Sequence, residues 1–317
     1  LAGLACALGL SLSPSAGGAA APAPSAAIGP SASLEFLSGL RGVSGKLEAA
    51  FRAPGAPLVP RAPAGLKALY EPDHGEPVVS PDFQAPQRPG VYRMAVEIAQ
   101  ARQDVVDLRV ITLVPFTAKQ QGQIGSYRMG QWPYERGGAP SAAYANPAGF
   151  VEVTRENVGL PVSRHFTLGD FLNPDQPAVW PKYLLLQAGL VDKLELVIDE
   201  LEHDGHPVRH LAILSGFRTP LVNQVGGTAS GRAPLSRHMY GDATDVYVDN
   251  DRNGWTDDLD GDGRIDIRDA EVVARAVERT EARHPELVGG VGVYPGMGGH
   301  GPFTHVDVRG SRARWRG

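Results

Sequence analysis

The chain reads as an α+β protein: a small β-rich N-terminal domain, then an α+β domain built on a central antiparallel sheet. Three observations predict this. Apolar runs of strand length recur at residues 91–98, 105–116, 210–217, 244–248, 291–294 and 303–308. Clear helical spacing is confined to 183–203 and 268–283, and strands and helices do not alternate with the period of a doubly wound sheet. A content of 39 Gly and 27 Pro in 317 residues favours turns and short strands over a helical bundle.

Taken in order, residues 33–51 place Leu34, Leu37 and Leu40 on one side of a weak amphipathic helix, with glycines working against it. Prolines recur through 53–89, which predicts irregular, surface-hugging chain. Strands follow at 91–98 and 105–116, with short pieces at 122–133 and 149–153, and the β-rich domain ends near Pro161. Residues 170–180 read as a loop, and Pro181 suits a first helical turn. In the helix at 183–203, Val191, Leu194, Ile198 and Leu201 share a face and Gly205 is the expected stop. The strand at 210–217 ends in SGFRTP; a strand at 244–248, a helix at 268–283 and two final strands complete the chain. The expected partition is a leader at 1–21, a Pro/Ala-rich linker and irregular region at 22–90, the β-rich domain at 91–161, and a domain at 162–317 carrying an insertion at 249–271.

A net charge of -5 argues against a nucleic-acid partner, and the basic RGSRARWRG at 309–317 reads as a solvated tail. Residues 1–21 read as part of a secretory leader with Ala19-x-Ala21 as its exit, so an exported, periplasmic or cell-envelope protein is expected. Lipid anchoring through the sole cysteine, Cys6, is not expected, because Gly3 stands where a lipobox wants a large aliphatic residue. No downstream run reaches membrane-spanning length.

The stretch SRHMYGDATDV, 236–246, offers a candidate metal half-site. A turn at Gly241 lets His238 from a loop and Asp245 from a strand face one ion. A zinc hydrolase site takes three protein ligands and leaves a fourth position for water. THVDVRG supplies a third ligand, His305, and strand alternation puts Asp307 on the same face, where it could orient that ligand. His165, His203, His206 and His210 read as surface or hydrogen-bonded residues.

Ser236-x-His238-x-x-Gly241-x-Ala243-x-Asp245 followed by His305-x-Asp307 resembles the signature of the zinc D-Ala-D-Ala metallopeptidases, the peptidoglycan carboxypeptidases, dipeptidases and murein endopeptidases. SGFRTP with Asn223, and GGVGVYP at 289–295, resemble the bacterial cell-wall branch, and 122–171 resembles a module sometimes attached to such enzymes. The resemblance implies Zn²⁺ on His238, Asp245 and His305, with peptidoglycan stem peptides as substrate. It also implies Arg218 at the scissile carbonyl or oxyanion, and Ser236 on the substrate or holding the metal loop. The acidic general base of many relatives falls at Pro302 here, so His300 is the nearest candidate base, the alternative being a loop histidine without a role. Stem trimming and crosslink cleavage both stay open, as does a wall-binding protein that kept the site and lost turnover.

The insertion resembles an EF-hand-type loop. Asp258, Asp260, Asp262, Gly263, Arg264, Ile265, Asp266 and Asp269 fall at positions 1, 3, 5, 6, 7, 8, 9 and 12, with Asp at the last position as in dockerin-like loops. Ile265 is expected to pack inward and the other side-chain or carbonyl oxygens to hold a structural Ca²⁺. Asp249, Asp251, Asn253 and Asp257 begin a second match. A solvated acidic loop is the alternative, as is a calcium-dependent adhesion protein that would leave the histidines unexplained.

Overall fold

A computed structural model describes residues 34–98, 101–226 and 233–317. The expected leader with Cys6, and the Ala/Pro/Ser-rich stretch that follows it to residue 33, lie outside these residues. The mixed α+β class holds, on two five-stranded sheets and two smaller ones.

The first sheet comprises β1 (Ala49–Arg52), β2 (Leu66–Pro72), β3 (Val78–Ser80), β4 (Gly90–Ile98) and β5 (Ala101–Thr112), in the order β1-β5-β4-β2-β3. Only β1 on β5 is parallel. Alternation along β4 buries Tyr92, Met94 and Val96 against Tyr70, Phe83, Leu108 and Val110. Two expectations are corrected here. In place of a helix over 33–51 there is a short 3₁₀ helix, Glu35–Arg41, which buries Leu37 and Leu40. Gly42 and Gly45, both at φ 72, then turn the chain into β1. The proline-rich 53–89 is not irregular throughout, since β2 and β3 lie in it. Pro72 and Pro81 fall at the last residue of β2 and just past β3, where they do not interrupt the ladder.

Next come β6 (Val114–Pro115), β7 (Gln123–Ile124), β8 (Tyr127–Arg128), β9 (Gly149–Val153) and β10 (Lys182–Leu184). A β10-β9-β6 sheet and a β7-β8 pair result. Their buried Tyr127, Trp132, Phe150, Phe166 and Phe171 share one apolar cluster with the C-terminal half, so packing is continuous across Pro161. Pro181 does not open a helix. Residues 182–184 pair with 151–153 as β10, burying Tyr183 and Leu184. The helix, α1 (Ala188–His203), begins only after that ladder ends.

The C-terminal half adds β11 (Leu211–Ser215), α2 (Pro220–Gly226), β12 (Ala243–Val248), α3 (Ile267–Arg283), β13 (Gly290–Tyr294), β14 (Phe303–Asp307) and β15 (Ala313–Arg316). In α1, Leu190, Val191, Leu194, Val197, Ile198 and Leu201 form the buried stripe. Gly205, at φ 86, ends it in a Schellman arrangement: His206 N donates to Leu201 O and Gly205 N to Glu202 O. An Asp266/Asp269 capping box starts α3. The sheet order is β11-β12-β14-β13-β15, antiparallel except for the outer β13–β15 pair. Helix α3 packs against β14, with Thr304 Oγ1 donating to Ala270 O at 2.7 Å. Alternation therefore turns Phe303, His305 and Asp307 to the opposite face.

The C-terminal segment is not a solvated tail. It forms β15, because Arg314 pairs with Glu281 and Glu278 and Arg316 with Glu271, all on α3. Among the described residues no helix is long and apolar enough to cross a membrane.

Candidate metal centre

The register of the second sheet aligns one residue from each of its five strands. Ser215 pairs with Asp245, Asp245 with His305, His305 with Gly292, and Gly292 with Trp315. Cross-strand partners project to the same face, so Asp245 and His305 meet because the sheet places them side by side. His305 Nδ1 lies 2.9 Å from Asp245 Oδ1.

His238 arrives from outside the sheet. It sits on a 3₁₀ turn, Arg237–Tyr240, that ends at Gly241 in the left-handed region. A side chain at Gly241 would strike the Leu185 backbone, and its carbonyl accepts from Gln187 N at 2.8 Å. The turn is clamped from several sides. Arg237 pairs with buried Asp242, donates to Ala143 O, and lies over the Tyr144 and Tyr240 rings at 4.9 and 4.8 Å. Trp132 Nε1 donates to Met239 O at 2.9 Å. So held, His238 Nε2 is 3.3 Å from Asp245 Oδ1 and 3.2 Å from His305 Nδ1. The three candidate ligand atoms lie within 4.8 Å of one another, and all three residues are buried.

The donor set fits a zinc ion. Each imidazole turns one nitrogen to the common centre and gives the other to a protein acceptor: His238 Nδ1 to Gly216 O at 2.8 Å, His305 Nε2 to Asp307 Oδ2 at 3.1 Å. Such outer contacts set tautomer and ring orientation. Asp307 is itself held by Arg309 Nε at 2.9 Å and Gly290 N at 2.7 Å. Lys193, fully buried on α1, donates to Asp307 O at 2.8 Å and to Glu281 at 2.6 Å, fixing the end of β14 from behind.

Electrostatics follow burial and pairing. Burial pushes the His238 imidazole down, and Asp245 offsets this only in part. For Asp245 burial alone would raise the carboxyl, yet the two histidines hold it well below its ordinary range. Burial opposes a charged His305, but the Asp245 and Asp307 carboxylates on its two nitrogens raise it overall. Burial likewise opposes an ionised Asp307, and His305 and Arg309 prevail and depress it.

The other expected site residues divide. Arg218 lies beside the centre, giving Nε to Ser215 Oγ at 2.9 Å and a terminal nitrogen to Asp245 Oδ2 at 3.0 Å. Ser236 is buried at the start of the His238 turn. His300 stands outside the three-residue cluster, with Nδ1 at Gly301 O (2.8 Å) and its ring edge on Phe303. Its loop is tied to the insertion: Thr256 Oγ1 donates to Pro302 O at 2.6 Å, and a side chain at Gly301 would collide with Thr256.

In the insertion, Asp258, Asp260 and Asp262 converge, as do Asp249, Asp251 and Asp257. Asp266 and Asp269 do not join the first group. Asp269 is buried and accepts from Leu259, Asp260 and Asp266 N, and Asp266 caps α3. Arg268 pairs with Asp260, Asp262 and Asp266, so an arginine already balances part of the acidic charge. Asn253 N and Gly254 N cover the two oxygens of Asp249. Ile265, expected to pack inward, is 46% exposed, since no strand among the described residues pairs beside it. Of the remaining histidines, His165 meets Glu195 at 2.7 Å and His210 meets Asp249 O at 3.2 Å, in hydrogen-bonded roles.

Sequence reasoning missed Arg309, Lys193, Tyr294 and Trp315. Trp315 and Arg309 lay in the segment taken for a tail, and an apolar Trp alternating with arginines was the available signal.

Fold and centre together define an α+β chain with a buried two-histidine, one-aspartate cluster on the face of a largely antiparallel sheet that is turned away from α3. No protein-family model matches it, and neither does any curated protein or solved structure.

Proposed function

We propose that the chain is a zinc-dependent peptidoglycan peptidase of the D,D-carboxypeptidase kind, exported to the cell envelope, hydrolysing an amide next to a D-amino acid. The observation that carries the metal chemistry is the convergence of His238, Asp245 and His305 with both outer imidazole nitrogens already engaged. The substrate class rests on the order of motifs, SGFRTP, SRHMYGDATDV and THVDVRG, that resembles the zinc D-Ala-D-Ala peptidases.

His238, Asp245 and His305 would hold a zinc ion, which would supply Lewis acidity and make water acidic enough to ionise near neutral pH. The chain's own residues do the rest. Asp307, through His305, and Gly216, through His238, keep the ligands oriented. Arg218 orients Asp245 and brings a permanent positive charge to the place where an oxyanion develops. Ser236 anchors the His238 turn at the rim. His300 is the candidate proton carrier, brought in by movement of its glycine-rich loop. His300→Ala lowers turnover by orders of magnitude with zinc still bound if it has that role, and near-normal turnover removes it from the mechanism.

The deciding experiment incubates the full chain with muropeptides, with EDTA and with zinc restored, and reads products by mass spectrometry. Loss of terminal D-Ala identifies a carboxypeptidase; conversion of dimers to monomers identifies a crosslink endopeptidase. Binding without cleavage supports a non-catalytic wall-binding protein, a reading favoured by Pro302 at the usual acidic position. Stabilising Ca²⁺ on the 258–269 loop belongs to the same proposal, supported by the convergence of Asp258, Asp260 and Asp262. Terbium luminescence and its displacement by calcium test it, and an unchanged signal on titration refutes it.

A further inference from the structure

The lateral row that brings Asp245 to His305 does not stop at His305. Two strands further on it reaches Trp315, across Gly292. Gly292 offers no side chain, and the indole occupies the space one would need: a Cβ there would run into the Trp315 ring. The indole therefore leans across β13 and lies 5.1 Å from the His305 ring, tilted by 49°. The Arg309 guanidinium, which holds Asp307, also lies over the indole, 5.5 Å from its centroid. Trp315 Nε1 donates to Tyr294 Oη at 2.7 Å, which fixes the ring's orientation.

We infer that Trp315 is a positioning residue of the metal centre, delivered by the C-terminal strand to hold the His305 ring and the Asp307–Arg309 pair behind it. The inference rests on the reading of His238, Asp245 and His305 as metal ligands. Asp245 and Asp307 restrain His305 at its two nitrogens, which leaves the imidazole free to rock about the line joining them. The indole, packed at a tilt against the imidazole, limits that rocking, and a large aromatic is the side chain that reaches across a glycine to supply the contact. The glycines of GGVGVYP gain a physical reason in the same way. Gly292 is the indole's floor, and Gly290 gives its N–H to Asp307 where a side chain would meet the Asp307 carboxylate and the indole edge.

The test uses the purified full chain with zinc and cobalt as probes. Affinity is measured by competition with a chromophoric chelator, and ligand geometry by the visible absorption of bound Co²⁺. Trp315→Ala is expected to weaken metal binding about 10-fold or more, the low end of what loss of an outer support costs, and to change the cobalt bands. Trp315→Phe keeps a flat wall without the Tyr294 contact and is expected to recover most of the affinity. Gly292→Ala leaves the tryptophan in the chain, displaces its ring, and is expected to resemble Trp315→Ala. Circular dichroism and urea unfolding separate these effects from loss of β15; should Trp315→Ala fail to fold, Trp315→Phe and Gly292→Ala decide. Parental affinity and an unchanged cobalt spectrum in folded Trp315→Ala, or in Gly292→Ala if it does not fold, overturn the inference. Absence of stoichiometric metal on the parent chain overturns the metal-centre reading first, so the two failures are distinct.

Discussion

Two regions of this molecule gather carboxylates around a common point, and they do so in opposite ways. At the sheet centre Asp245 and Asp307 are buried, each is matched to histidine and arginine donors, and the backbone beneath them is paired on both sides. In the insertion Asp258, Asp260 and Asp262 are exposed, their partners are mostly N–H groups of their own loop, and Arg268 reaches over them. The first arrangement is preorganised, because moving any member strands a buried polar group. The second is adaptable, because water replaces each contact at little cost.

The largest effect expected at the buried centre comes from its own ligands. His238→Ala or Asp245→Asn should weaken zinc binding by more than the about 10–100-fold that an outer partner costs, and abolish metal-dependent turnover; chelator competition and product analysis check both. Metal affinity and turnover at parental levels would place the centre elsewhere. Next is the support behind β14. Lys193→Met leaves Glu281 partly unpaired in the core and should destabilise the chain by about 3–5 kcal/mol, read from urea midpoints. A smaller effect, about 10–100-fold in zinc affinity, is expected for Asp307→Asn, which removes the carboxylate from His305.

The same variant tests the pH dependence of the metal-free chain. His305 has a raised folded pKa, so its contribution is fully present below its unfolded value of about 6.5 and is lost as pH rises through the higher folded value. Asp307 is depressed, so its contribution is present above about 3.9 and is lost as pH falls through the folded value. The stability difference between parent and Asp307→Asn should therefore be widest between these limits and narrow in both directions, as urea unfolding across pH will report. The smallest effect belongs to the exposed region. Arg268→Gln should leave the urea midpoint close to the parental one, because exposed ion pairs contribute little, while strengthening terbium binding several-fold by uncovering negative charge. A loss of terbium binding would mean that Arg268 organises the loop instead of competing for it.

The site was more legible than the fold around it. His238, Asp245 and His305 carried a spacing that pointed to one centre, and the structure brings them together through cross-strand register and one clamped turn. Long apolar runs such as β5, and the helical spacing within α3, were equally plain, while Asp266, read as a calcium-loop residue, proved to cap α3. Strands β2 and β3 were hidden by flanking prolines, and the start of α1 was masked because Tyr183 and Leu184 suit helix and strand periods alike. Only Trp315 between two arginines hinted locally at β15, whose arginines pair with glutamates that α3 presents beside them.

What the sequence determined by itself is the class of structure, the three side chains that converge and the acidity of the insertion, because these show in residue type, local spacing and the order of short motifs. What only the tertiary structure decided is who stands behind those ligands. Beyond Asp307, which strand alternation already suggested, Gly216, Arg309, Lys193 and Trp315 reach the centre from loops, a helix and the last strand, and their placement depends on sheet order and on the empty space at Gly292. Such contacts are set by packing across the chain, and a linear pattern does not encode which strand will lie beside which.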